Sequence, residues 1–150
     1  MRDGLVGSEM CIRDSLGMEW SLSEEELLPI RSEFVLASRF GGLEPPIDTV
    51  FIHIKEHNAY LKSCQNVLKL GFQGKMCIHP DQVAVTNETF TPSEEEVVWS
   101  KRVISEFERA EAEGVASIQV DGYFVDYPIV EKAQRVVDMS NLLNDLASSK

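Results

Sequence analysis

The chain has 150 residues and a formal net charge of −11 at pH 7, from 25 acidic and 14 basic side chains. This balance argues against a nucleic-acid partner, because binding to a phosphate backbone depends on clustered Lys and Arg. A small anionic ligand needs only a few local positive groups and remains compatible with the charge. Hydrophobic residues make up 43% of the chain, as in a soluble globular domain. No apolar run approaches the ~18 residues of a membrane span.

The cysteine content indicates the redox compartment. The three cysteines, Cys11, Cys64 and Cys77, are too few for a disulfide framework and favour a reducing environment. We therefore expect a cytoplasmic protein with neither a nucleic-acid nor a membrane partner.

Residues 1–15 read MRDGLVGSEMCIRDS and show no clear helical or strand period. The string EMCIRDS resembles a sequencing-library adapter translated in frame. We expect this segment to be foreign to the protein and exclude Cys11, Arg13 and Asp14 as site residues. The alternative is a native amino-terminal segment, and resequencing across the junction of Ser15 and Leu16 distinguishes the two.

The next segment predicts a helix. Ser23 precedes three glutamates, which indicates an N-cap followed by acids in the first turn. Apolar residues then recur near helical spacing as far as Phe40, and Gly41 with Gly42 predicts the end. Arg31 lies within this helix, and we interpret it as a solvated side chain.

The middle of the chain predicts a βαβ unit. Residues 47–54, rich in β-branched and aromatic side chains, predict a strand. An amphipathic helix follows and ends at Gly71 in a left-handed cap. Gly74 predicts a second turn, residues 75–78 a short buried strand, and His79 with Pro80 its end. This order implies parallel strands joined by a crossover helix.

The last third predicts a loop, a helix, a hairpin and a final helix. We expect a loop over residues 81–92, and then a capping box formed by Ser93 and Glu96. The helix after it ends at Gly114. Asp121 and Gly122 form a two-residue hairpin signal. Pro128 predicts the start of the last helix. The apolar faces of the two helices are predicted to contain Val97, Val103, Ile104 and Phe107, and Ile129, Val130, Ala133, Val136, Val137 and Leu143.

Three strings carry a family resemblance when taken in order: GFQGKMCIHPDQV, FTPSEEE and VDGYFVDYP. Together they resemble the HpcH/HpaI aldolase and citrate lyase beta-subunit superfamily, in its citrate lyase beta-like or (citra)malyl-CoA lyase branch. The resemblance runs from about Leu16 to the carboxyl end and covers the last part of the family's usual chain.

This resemblance implies an α/β fold, namely the carboxyl-terminal part of a (β/α)8 TIM barrel with an appended β-hairpin and C-terminal helix. The alternation of strands and helices agrees with it. Two strands do not close a barrel of eight. We therefore expect residues 16–150 to form a partial domain that leaves apolar helix faces exposed.

The family cleaves or forms a carbon–carbon bond beside a CoA thioester, with Mg²⁺ stabilising the enolate. The resemblance therefore implies a lyase acting on malyl-CoA, citramalyl-CoA or citryl-type substrates, assembled as a homo-oligomer, a trimer or hexamer. The family's metal ligands and substrate-binding Arg come from its amino-terminal part, so we assign no metal ligand here and expect the fragment to be inactive alone. The alternative is a non-catalytic oligomerisation module.

Asp126, in the string VDGYFVDYP, matches the family's acidic residue that reaches a neighbouring subunit's site. The resemblance implies that its carboxyl group protonates the enolate or moves a proton at the substrate carbon. The alternative is a helix N-cap, because Asp126 precedes Tyr127 and Pro128. Asp121 is more simply a turn residue.

Lys75, Met76, Cys77 and His79 match the family's strand that lines the acyl-CoA cleft. The resemblance implies ligand contacts from the backbone of Met76 and Cys77, and a phosphate or carboxylate contact from Lys75. The alternatives are a surface charge for Lys75, an inert core thiol for Cys77 and a structural role for His79. His53 and Glu56 depart from the family's pattern of acidic residues, so we assign no function to that strand end.

Overall fold

The structure, a computed structural model, describes residues 9–148, which divide into two units. One unit ends at Phe90, and the other begins at Thr91. The first contains α1 (Glu9–Leu16), the short 3-10 helix η1 (Glu25–Leu27), α2 (Leu28–Phe40), β1 (Ile47–Asp48), α3 (His57–Leu70), β2 (Gly74–Lys75) and α4 (Pro80–Phe90). The second contains α5 (Glu94–Ala112), β3 (Ile118–Val120), β4 (Tyr123–Val125) and α6 (Tyr127–Ser148). Among these helices none is long and apolar enough to cross a membrane.

The two strands of the first unit pair in parallel, with Ile47 opposite Gly74 and Asp48 opposite Lys75. Helix α3 connects them, so the predicted βαβ order is confirmed. Both strands are shorter than predicted, because the backbone pairing between them is limited to two residues of each strand. Gly74 lies in β2 with ordinary backbone angles, so the predicted turn there is wrong.

The start of α2 differs from the prediction. The helix begins at Leu28, and η1 before it is entered through Glu24, whose φ is 54° and whose N–H donates to Ser21 Oγ at 3.0 Å. Ser23 is therefore not the N-cap. A left-handed glutamate is uncommon, and it persists only where surrounding contacts hold it. The predicted end is correct, because α2 stops at Phe40 with Gly41 as its cap.

Helix α1 covers part of the segment that we expect to be foreign. The Arg13 side chain in it is buried, donates to Glu26 Oε1 at 2.6 Å and stands 4.1 Å from the ring centroid of Trp20. These contacts describe how the residues pack and do not report their origin. The expectation of a foreign segment stays a prediction.

A glycine ends α3, and a proline begins α4. Gly71 has φ 104°, and its N–H donates to the Leu68 carbonyl, which confirms the predicted left-handed cap. The predicted loop over residues 81–92 is wrong, because α4 occupies most of it. Pro80 begins that helix, where its missing N–H is not needed, and the Gln82 side chain accepts the Ile78 N–H at 2.9 Å.

The second unit follows the sequence closely. The Glu96 N–H donates to Ser93 Oγ at 3.2 Å and the Ser93 N–H donates to Glu96 Oε2 at 2.9 Å, so the predicted capping box is confirmed. The hairpin turns at Asp121 and Gly122, whose φ values of 51° and 86° are those of a type I′ turn. The core of this unit is formed by Val103, Phe107, Val120, Val125 and Ala133.

Helix α2 leaves much of its apolar surface uncovered in the described structure. Phe40 is 89% exposed, and Leu28, Leu36 and the following Leu43 are also exposed. Exposed apolar surface of this kind favours association.

Candidate functional site

The parallel pair brings Asp48 and Lys75 side by side at the carboxyl ends of β1 and β2. Their side chains meet Glu24, from the entry to η1, and Arg31, from α2. None of the four residues is more than 4% exposed. We call these four residues the buried charge cluster. Carboxyl ends of parallel strands are the usual place for chemistry in α/β folds.

The contacts within the buried charge cluster are direct. Arg31 donates from Nε to Asp48 Oδ1 and from Nη2 to Asp48 Oδ2, both at 2.8 Å, which is a bidentate pair. Arg31 Nη2 also donates to Glu24 Oε2 at 2.8 Å. Lys75 Nζ donates to Asp48 Oδ2 and lies 3.7 Å from Glu24 Oε2. The Ser63 hydroxyl of α3 donates to Glu24.

Two cations therefore balance two carboxylates out of contact with water. Burial lowers the pKa of Arg31, but the hydrogen bonds and charges of Asp48 and Glu24 outweigh it and leave the pKa above its ordinary value. Removing one partner of a buried ion pair leaves the other charge buried and uncompensated. The stability of each charge in the cluster therefore depends on the other three residues.

The interpretation of Arg31 as a solvated side chain is wrong. Arg31 follows the buried Leu27 by four residues, which places it on the covered face of α2. An arginine on that face, together with an aspartate inside the apolar run of residues 47–54, is the sequence signal that would have indicated a buried pair.

Lys75 is not a surface charge in the structure, so that alternative is wrong. Its ammonium group is fully buried and has Asp48 and Glu24 as partners. Direct contact with a phosphate would require these interactions to open.

The residues after β2 are more accessible. Met76 is 40% exposed, and its N–H donates to the Asp48 carbonyl at 3.0 Å. The Cys77 backbone N–H has no acceptor among residues 9–148. The His79 ring is partly exposed, and its Nδ1 accepts the Asp81 N–H at 3.3 Å. Residues 76–79 thus form an accessible segment directly beyond the buried charge cluster.

The Cys77 thiol is half-buried among polar groups. Its Sγ lies 3.3 Å from Thr86 Oγ1 and 3.5 Å from Tyr60 Oη. Burial raises the pKa of the neighbouring Cys64 thiol and also that of the Tyr60 hydroxyl. Since the thiolate is the reactive form, Cys64 is a poor nucleophile.

Asp126 belongs to the second unit and stands between β4 and α6. Its carbonyl accepts the N–H groups of Ile129 and Val130, each at 3.0 Å. Its half-buried carboxylate makes no hydrogen bond to another residue in the described ranges, so the side chain does not cap α6. Asp121 accepts from Arg102 Nη1 at 2.9 and 3.1 Å, in keeping with a turn residue.

The described residues do not form a magnesium site. Within residues 9–148 no group of three or more His, Cys, Asp or Glu side chains could hold a metal ion. The two carboxylates of the buried charge cluster are already bound to Arg31 and Lys75. His53, at the end of the β1 segment, is hydrogen-bonded through Nε2 to the Trp20 carbonyl at 3.0 Å.

The chain is similar in sequence to a family model and to relatives of the citrate lyase and citramalyl-CoA lyase kind. The sequence model described as HpcH/HpaI aldolase/citrate lyase matches residues 5–80. The mitochondrial citramalyl-CoA lyase of Rattus norvegicus is 28% identical over 143 residues, which are 95% of this chain and 42% of that protein. The citrate lyase subunit beta of Leuconostoc mesenteroides subsp. cremoris is 34% identical over 126 residues, which are 84% of this chain and 41% of that protein.

A solved structure has a similar α/β fold. CitE from Mycobacterium tuberculosis, crystallised in complex with magnesium, acetoacetate and coenzyme A, matches with a TM-score of 0.70 at 21% identity. The match covers 89% of this chain and 50% of that chain. The chain therefore spans half or less of the length of each of these proteins.

Proposed function

We propose, from the premise that this chain belongs to the HpcH/HpaI aldolase/citrate lyase family, that it supplies the carboxyl-terminal part of a carbon–carbon lyase acting on CoA thioesters. The proposed substrates are hydroxy-dicarboxylate thioesters of the malyl-CoA, citramalyl-CoA or citryl type. The observation that carries the proposal is the match of residues 5–80 to the family, together with relatives named as citramalyl-CoA lyase and citrate lyase subunit beta.

We further propose that β1 and β2 are neighbouring strands of a (β/α)8 barrel, with the β3–β4 hairpin and α6 appended to it. The parallel pairing through α3 supports this arrangement. The two open edges of the pair are where further strands would add. A homo-oligomer, as the family resemblance implies, and a cytoplasmic location stay predictions.

Cleavage in such an enzyme breaks the bond between the carbon beside the thioester carbonyl and the carbon that carries the hydroxyl group. The hydroxyl loses its proton and becomes a carbonyl, and the electron pair of the broken bond passes to the thioester enolate. We assign Asp126 as the acid that returns a proton to the enolate carbon in a neighbouring subunit's site. Its carboxylate is free of hydrogen-bond partners among the described residues, which suits a group that must meet a substrate.

Residues 76–79 are proposed to contact the CoA part of the substrate. The exposed Met76, the partly exposed His79 and the free N–H of Cys77 are available for this at the carboxyl end of β2. The direct contact from Lys75 that the resemblance implies would require its ammonium group to leave Asp48 and Glu24, so Lys75 is not included among these contacts. We propose Mg²⁺ for the whole enzyme but derive no step through it, since residues 9–148 do not fit the ion.

The exposed apolar face of α2 favours a second function, a non-catalytic oligomerisation module. Calorimetry with light scattering separates the two. A module should assemble alone and melt in one sharp transition, whereas a partial barrel should melt broadly or aggregate.

The chain of 150 residues is expected to show no lyase turnover by itself, because the resemblance assigns the metal ligands and the substrate-binding Arg to the family's amino-terminal part. The purified chain is assayed with malyl-CoA or citramalyl-CoA in the presence of Mg²⁺, beside its Asp126→Ala variant. Turnover by the parent chain above that of the variant would refute this expectation.

A further inference from the structure

We propose that the buried charge cluster holds the carboxyl ends of β1 and β2 together and thereby fixes residues 76–79. Lys75 and Glu24 are then positioning residues for the segment that meets CoA. The role in CoA binding rests on the proposed function, whereas the positioning itself does not.

Asp48 is the centre of this arrangement. Its carboxylate receives Arg31 from α2 and Lys75 from β2, and its carbonyl receives the Met76 N–H at 3.0 Å. One residue of β1 therefore holds both the last residue of β2 and the first residue beyond it. The position of Met76 follows directly from that of Asp48.

The backbone alone gives this strand pair little support. Only two residues of each strand pair, and the flanking hydrogen bonds are Gln73 N–H to the Pro46 carbonyl and Met76 N–H to the Asp48 carbonyl, both at 3.0 Å. A slip by one residue would turn Lys75 to the other face of the sheet and leave Asp48 and Glu24 without it. Because unpaired buried charges are costly, the buried charge cluster selects the observed register.

Glu24 extends the arrangement to α3. Its backbone is held in the left-handed region by Ser21, and its carboxylate accepts from Arg31 and from Ser63 of α3. The buried charge cluster thus joins η1, α2 and α3 to both strands. Its two positive and two negative charges balance, so removing one of each should preserve more of the arrangement than removing one alone.

The two described cysteines allow a direct test. Cys77 lies in the segment to be fixed and is half-buried, whereas Cys64 on α3 is fully buried. Local release of residues 76–79 would expose Cys77 alone, while loss of the whole fold would expose both thiols.

The experiment uses the full chain with Cys11→Ser as background and an aromatic disulfide reagent under native conditions. We expect Lys75→Met to raise the modification rate of Cys77 at least roughly tenfold with little change at Cys64, because the opening equilibrium of the segment sets that rate. The neutral pair Lys75→Met with Asp48→Asn should return the Cys77 rate towards that of the parent. Lys62→Met, on the exposed face of α3, removes the same charge and should change neither rate.

Several results would overturn the proposal. Equal acceleration of both thiols in Lys75→Met would show a general loss of fold, and an unchanged Cys77 rate would show that the segment is held by something else. If Lys75→Met does not fold, the neutral double variant tests the proposal instead. The proposal requires the double variant to fold with Cys77 protected, and failure in either respect would overturn it.

CoA binding to the same variants separates the positioning role from direct contact. Recovery of binding in the double variant supports positioning, because neither remaining side chain carries the ammonium group. Recovery of Cys77 protection without recovery of binding would show that Lys75 contacts the ligand and would overturn its assignment as a positioning residue. If the parent chain does not bind CoA, the proposed function of this segment fails, and the Cys77 rates still decide on the positioning.

Discussion

Replacing Asp126 by Asn, in a longer form of the enzyme that carries this carboxyl end, is expected to lower turnover about 10²–10⁴-fold, the usual loss for a positioned proton donor. Asparagine has the same size and cannot donate the acidic proton. The backbone carbonyl of residue 126, which accepts from Ile129 and Val130, is unchanged. Stability should therefore fall by well under ~1 kcal/mol, and CoA affinity should be retained.

The matched control is Asp121→Asn in the same protein. Asp121 is an acid in the turn of the hairpin that precedes Asp126, with φ 51° and a contact to Arg102, and asparagine tolerates that backbone conformation. Its turnover should stay near that of the parent. Turnover and melting temperature are measured for both variants. Unchanged turnover in Asp126→Asn, with any change confined to stability, would remove Asp126 from the site.

Replacing Arg31 by Met is expected to lower the free energy of unfolding by ~3–5 kcal/mol, the usual cost of stranding one member of a buried ion pair. Arg31 is the bidentate partner of Asp48 and also binds Glu24. Without it, one lysine faces two buried carboxylates, and the buried charge cluster carries a net negative charge. The free energy is measured by urea unfolding followed by circular dichroism.

Arg39→Met is the matched control, since Arg39 is an exposed arginine of the same helix α2. It removes an equal charge and should change stability by no more than about 0.5 kcal/mol. Arg31→Lys should lie between the two, because lysine keeps the charge and loses the bidentate geometry. Equal effects of Arg31→Met and Arg39→Met would show that the buried charge cluster does not stabilise the fold.

The features that the sequence predicted well are local. The capping box needs Ser93 and Glu96 three residues apart, the hairpin turn needs Asp121 beside Gly122, and the end of α3 needs Gly71. In each case the residues that make the hydrogen bonds, or that accept positive φ, are neighbours along the chain. Short-range rules are sufficient for such features.

The features that the sequence did not predict depend on contacts between distant residues, or on a residue that suits two kinds of structure. Arg31 meets Asp48 seventeen positions away, Lys75 meets Asp48 across 27, and Ser63 meets Glu24 across 39. Helical spacing indicates that Arg31 lies on the covered face of α2, but it does not identify the partners, because these pairs form only after α2, α3 and the strands have packed. Pro80 predicts the end of a strand, because it lacks an N–H, and for the same reason it suits the first position of a helix, where the structure places it.

Product analysis is the most direct test of whether this chain carries the carboxyl-terminal part of a CoA-thioester carbon–carbon lyase. A longer form of the enzyme that carries this carboxyl end is incubated with malyl-CoA, citramalyl-CoA or citryl-CoA and Mg²⁺. We expect acetyl-CoA and a 2-oxo acid to be released in equal amounts from at least one of these thioesters. A folded protein that binds CoA but releases no 2-oxo acid, or that releases only free CoA by hydrolysis, would contradict the claim.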